Sequence, residues 1–194
     1  MLPRSSVLSH GLENDELGPA LKDRKALDHL FSVTYEELRR LASTVRRGDP
    51  NASLSPTTLV NEAWLKLAAS PLPMPTSRLH FKRIAARAMR QVLIEAARRR
   101  NARKRGGAEK LIIVTFDDSM HESTSTAQDL LALNDALDEL ARLQPRQAMM
   151  VESRFFGGLD ISETAELLQV SEATILRDWR AAKAWLAREL RRAS

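Results

Sequence analysis

The 194-residue sequence has no cysteine, which excludes disulfides, thiol nucleophiles and Cys-ligated zinc together. Its histidines, His10, His29, His80 and His121, are scattered without metal-ligand spacing, so no metal or other cofactor is expected. No Walker loop occurs, and no nucleophile stands beside a base, so no catalytic residue and no enzyme activity are expected. No run approaches the roughly 20 apolar residues of a membrane span. The opening stretch MLPRSSVLSHGLENDELG lacks the apolar centre of a signal peptide. A cytoplasmic protein without a membrane partner is the expectation.

Glycine and proline are also scarce, at 7 and 8 residues, and they gather between apolar-periodic segments. Valine, isoleucine and aromatics are too sparse for a sheet. An all-α fold with short loops is expected. The segment ALKDRKALDHLFSVTYEELRRLASTVRRG reads as two helices broken near Asp28 to Ser32, with Leu27, Leu30, Phe31, Leu38 and Leu41 inward. In SPTTLVNEAWLKLAAS, Ser55 suits a helix N-cap and Pro56 the first helical position. PLPMPTS carries three prolines in five residues and must be a rigid loop. A long basic helix follows from about Arg78 to Arg103. The stretch 106–129 breaks the helical pattern and reads as a linker; within it LIIVTF is read as an extended segment, because a true strand has no obvious partner there. Four helices complete the chain, at about 128–142, 145–156, 160–169 and 172–191.

Between Arg78 and Lys110 stand twelve Lys or Arg against Glu95 and Glu109, a charge of +10 within a total of +5, so the rest carries −5. That concentration on one element suits an anionic partner. At about 100° per residue, Phe81, Ala85, Ala88, Val92 and Ala96 share one face of this helix, and Arg83, Arg87 and Arg90 point away. A solvated face is the plain alternative to a nucleic-acid contact.

In ISETAELLQVSEATILRDWRAAK, residues 161–183, Ile161, Ala165 and Leu168 share one face. Ile175, Trp179, Ala182 and Leu186 share the next. A small residue on the first helix and a branched one on the second allow a steep crossing, as in a helix-turn-helix, and Ser171 suits the second cap. An ordinary helical hairpin is the alternative. As a DNA reader the second helix would turn Glu172, Ala173, Thr174, Arg177, Asp178 and Arg180 outward.

The blocks SPTTLVNEAWLKLA and LDELARLQPRQAMMVESRFFGGLDISETAELL, in this order, resemble bacterial RNA polymerase sigma factors of the extracytoplasmic-function (ECF) type. TTLVNEAWLKL with the RDWRAAKAWL ending is similar to an ECF-like subgroup. The resemblance implies a tail over 1–18, a sigma-2-like domain over 19–106 for the minus-ten element, a flexible linker over 107–127, and a sigma-4-like helix-turn-helix domain over 128–194 for the minus-thirty-five element. Its partners would be core RNA polymerase and promoter DNA. Members are often held inactive by an anti-sigma factor, which joins the partners to be tested. Leu59, Val60, Asn61, Glu62 and Leu65 correspond to the polymerase-docking segment. PLPMPTSRLH corresponds to the loop that captures a flipped minus-ten base. Arg78, His80, Lys82, Arg83, Arg87, Arg90, Arg98 and Arg99 would hold minus-ten DNA. Ser171, Glu172, Thr174, Arg177, Asp178, Arg180 and Lys183 would meet the minus-thirty-five groove. The linker acids Asp117, Asp118, Glu122 and Asp129 would follow the polymerase's RNA path, with a plain solvated linker as the alternative. Departures from the pattern are Thr58 in place of an acid, Gln169 at a turn position often held by Gly, and Asp178 where many relatives are basic. A repressor or activator working without polymerase, and a module gripping RNA or an acidic protein, are the competing functions.

Overall fold

The computed structural model describes residues 13–46, 54–70, 75–103, 114–115, 123–124 and 127–192. Among them lie seven helices: α1 (Glu13–Arg46), α2 (Pro56–Ala68), α3 (Arg78–Arg103), α4 (Ala127–Leu143), α5 (Pro145–Phe155), α6 (Ile161–Leu168) and α7 (Glu172–Arg192). The described residues are all-helical but for one short ladder, β1 (Val114–Thr115) antiparallel to β2 (Ser123–Thr124). The LIIVTF segment therefore has a strand partner after all, supplied nine residues on by its own hairpin, since Val114 pairs with Thr124 and Thr115 with Ser123. β2 lies against α1 and α4.

The expected break in the first helical segment does not occur. Leu27, Leu30, Phe31, Thr34, Leu38 and Ala42 keep three- and four-residue spacing straight through Asp28 to Ser32, so one apolar stripe runs unbroken. Thr34, fully buried, donates its hydroxyl to the Leu30 carbonyl at 2.7 Å, which satisfies it inside the helix. α1 also begins at Glu13, ahead of the expected boundary at 19. α2 starts as its sequence predicts: the Ser55 side chain accepts from Thr58 N, and Pro56 occupies the first turn.

Two apolar clusters form, and α3 contributes to both. The first packs Leu38 and Ala42 of α1 and Leu59, Val60, Ala63 and Leu67 of α2 on Phe81, Ala85, Ala88, Met89 and Val92. The second packs α4, α5, α6 and α7 around Leu133, Leu137, Leu140, Met150, Val151, Ile175 and Leu186, and it includes Ala86, Ile94 and Ala97 from a different side of α3. A helix apolar on two sides must be covered twice. The two halves are thus not held apart by the linker: α4 and α5 sit directly on α3.

The turn after α5 explains how the backbone comes so close. A Cβ on Gly157 would lie 2.4 Å from the Ser153 carbonyl oxygen and 3.1 Å from the Ala86 Cβ, so only glycine lets this turn press on α3. Gly158 adopts φ +65°, and Leu41 of α1 lies against it.

Phe81 is completely buried where α1, α2 and α3 meet. Phe81→Ala is expected to cost about 3–5 kcal/mol, read as a lower urea midpoint at unchanged slope. A midpoint equal to that of the native chain contradicts this packing.

Candidate nucleic-acid interface

The α2 segment divides by face. Leu59 and Val60 are 2% and 1% exposed and belong to the first core, so neither is available to a partner. This corrects their expected role, and the reason is geometric: positions 59, 60, 63 and 67 make up the stripe that α2 turns toward α1 and α3. Asn61, Glu62 and Leu65 point outward, and Leu65, at 60% exposed, is an uncovered apolar side chain of the kind that docking surfaces use.

The basic helix divides in the same way. Arg78 is exposed and pairs with Glu37 of α1. His80 is half-buried, with Nδ1 3.2 Å from the Thr76 amide nitrogen. Arg83, Arg87, Arg98 and Arg99 make no ion pair among the described residues; Arg87, Arg98 and Arg99 are exposed and Arg83 half-buried.

Two expected DNA-binding residues face inward instead. The Lys82 side chain is 6% exposed, with Nζ 2.9 and 3.1 Å from the Glu163 carboxylate of α6 and 3.5 Å from Glu37. Arg90, 13% exposed, donates to Asn134 Oδ1 at 3.2 Å, to the Asn134 carbonyl at 3.0 Å, to Asp138 at 2.6 Å and to Glu152 at 2.7 Å. Their partners lie 44 to 81 residues away in sequence, which no helical wheel can register. A cleft of about 250 Å³ opens beside Arg90, rimmed by Arg87 and Arg98 on one wall and Asp138 and Glu152 on the other.

α6 and α7 follow each other across the short turn at 169–171 and pack together. Asp160 accepts from the Glu163 amide at 2.7 Å, and the Glu163 side chain accepts from the Asp160 amide at 3.1 Å, a reciprocal capping box at the start of α6. Asp-x-x-Glu just before an apolar run signals that cap in the sequence, although the expected boundaries did not use it. Gln169 ends α6 at φ 53° and ψ 47°, a left-handed residue where glycine is the unstrained choice. Ser171 then caps α7 by accepting from the Thr174 amide at 3.2 Å, and the Thr174 hydroxyl lies 3.0 Å from the Ser171 hydroxyl.

On α7, Glu172, Ala173, Leu176, Arg177 and Arg180 are exposed, Thr174 and Lys183 half-buried. Arg177 and Arg180 have no ion pair among the described residues. Asp178 is the exception to the outward set. Only 6% exposed, it accepts two hydrogen bonds from Arg146 of α5, at 3.0 and 2.8 Å. An acid at this position ties α7 to α5 and neither faces a groove nor orients Arg177. Sequence reasoning missed two arginines of α5: Arg146, and Arg154, which is buried with its guanidinium 4.3 Å from the Trp179 ring centre. Asp129, expected on the acidic linker, is buried in the first turn of α4. Asp117, Asp118 and Glu122, like the prolines 71 and 73, lie outside the described residues.

The model of the protein family described as ECF sigma factor matches residues 20–192. No curated protein and no solved structure matches the chain.

Gln169→Gly relieves the left-handed backbone between α6 and α7. It is expected to stabilise the chain by about 1 kcal/mol, a rise of roughly 2–4 °C in thermal midpoint for a chain of this size. A fall in the midpoint contradicts the left-handed turn.

Proposed function

The chain belongs to the ECF sigma factor family and acts in transcription initiation, and from that premise we propose how its surfaces divide the work. Asn61, Glu62 and Leu65, the outward part of α2, dock on core RNA polymerase. The arginine side of α3 holds the minus-ten region. α7 enters the minus-thirty-five major groove with Arg177 and Arg180, while Glu172 and Ser171 flank its amino-terminal end.

The observation that carries this reading is the set of arginines left without carboxylate partners. Arg87, Arg98 and Arg99 on α3 and Arg177 and Arg180 on α7 are exposed and unneutralised among the described residues. Arginines in that condition suit phosphates and guanine edges, to which the guanidinium fork donates in pairs. No catalytic group is required. Binding energy gained along separated strands offsets the unpairing of the minus-ten bases.

The expected outcomes separate the surfaces. Leu65→Ala with Glu62→Ala weakens co-purification with core polymerase by roughly tenfold or more, because a few contacts carry most of the binding energy of an interface, and leaves the thermal midpoint unchanged. Arg177→Ala lowers the salt slope of duplex binding by about one and reduces run-off transcription from promoters mapped by transcript sequencing. Core binding that survives the α2 changes, or stable promoter selection without core, contradicts this reading.

A further inference from the structure

We propose that the acidic face of α4 and α5 is a latch on the DNA-holding side of α3, so that promoter DNA and the second half of the chain compete for Arg90. The inference rests on the reading of α3 as a DNA-binding helix.

Arginine has five N–H donors, and Arg90 already uses four of them across the seam, on Asn134, Asp138 and Glu152. With its side chain 13% exposed, it cannot take a phosphate while the seam is closed. Lys82, at 6% exposed, is held in the same way by Glu163 and Glu37. Glu163 is also the residue that closes the capping box of α6, so the lysine grips the first helix of the helix-turn-helix at its start. The closed chain thus withholds Lys82 and Arg90 from the basic row and leaves Arg87, Arg98 and Arg99 exposed.

The seam has the composition of a contact that can part. Its fully buried residues on α3 are Ala86, Ile94 and Ala97, two of them alanines, with half-buried Leu93 packed beside them and Gly157 pressed on Ala86. Around them run charge-assisted hydrogen bonds and an open cleft of about 250 Å³ lined by Arg87, Arg98, Asp138 and Glu152. Contacts between packed halves of a chain that are this polar are expected to move relative to one another. Phosphate oxygens accept from arginine as carboxylates do. DNA can therefore replace Asp138 and Glu152 bond for bond, whereas water replaces them with weaker, uncharged partners. The free chain is consequently closed, and its affinity for DNA is reduced by the fraction that is open.

The absence of cysteine allows a direct test in the full chain. Dyes are placed on Ala69→Cys at the end of α2 and Ala187→Cys on α7, both exposed. Energy transfer is then followed while oligo-dT of about 12 nucleotides, within the site size of such grooves, is added. Transfer is expected to fall as the strand binds. Asp138→Lys, at a side chain 57% exposed and so tolerant of change, is expected to raise oligonucleotide affinity about five- to a hundredfold and to lower transfer before any DNA is added. Glu152→Gln acts in the same direction. Asp135→Lys makes the same charge change on α4 at an exposed residue that does not touch Arg90, and it is expected to do neither. Equal gains from Asp135→Lys and Asp138→Lys mean that bulk charge is responsible, which overturns the latch. Transfer that stays constant at saturating oligonucleotide overturns it too. Arg87→Ala isolates the underlying reading: if it weakens binding while the Asp138 and Glu152 variants leave affinity and transfer unchanged, only the latch fails. If Arg87→Ala has no effect in the native or the Asp138→Lys chain, the DNA role of α3 fails first and the latch with it.

Discussion

Arg90 is the residue on which the arrangement of the molecule turns. It sits in the helix that gives buried side chains to both apolar clusters, and its guanidinium bonds two helices of the second half. Taking a charge out of water is favourable only when its partners are in place, and here the Arg90 side chain is 13% exposed, with Glu152 nearly as covered and Asp138 at the open rim. The halves are therefore registered at this point: Asn134, Asp138 and Glu152 have to arrive together. Small side chains at Ala86, Ala97 and Gly157 make that approach possible, because larger ones would keep the guanidinium from reaching.

The same logic governs α7. Its inner face is Ile175, Trp179, Ala182, Leu186 and Leu190, and Asp178 joins that face only because Arg146 is there to meet it. With Asp178 turned inward and neutralised, the exposed side of the helix keeps Arg177 and Arg180 as its cations near the amino-terminal end. The pair is covered only on the Asp178 side, the Arg146 side chain being 51% exposed, so it contributes orientation of α7 on α5 more than net stability. Arg154 stacked on Trp179 adds a second arginine-based contact between the same two helices.

Local features were legible in the sequence and distant ones were not. Ser55 and Pro56 mark the start of α2, Ser171 the start of α7, and the boundaries of α3 agree at both ends, because caps and proline act within four residues of themselves. The left-handed turn at position 169 was flagged by a glutamine where glycine is usual, and the backbone is left-handed there. The break expected near Asp28 to Ser32 does not occur because the apolar stripe of α1 passes unbroken beneath them. Helical spacing places Arg90 and Asp178 outward, and the family resemblance places Lys82 on the DNA. Each is in fact inward, since a partner from another element compensates its burial, and such pairings leave no trace in spacing. Leu59 and Val60 illustrate the converse: adjacent to true surface residues in sequence, they are on the other side of the helix.

The central claim is that α3 holds either the second half of the chain or the promoter, using the same arginine. A structure of the chain bound to core polymerase and a melted promoter tests it most directly. The account predicts Arg90 on the DNA backbone, with Asp138 and Glu152 moved out of reach. Arg90 still bonded to both acids, with the DNA bound elsewhere, would contradict it.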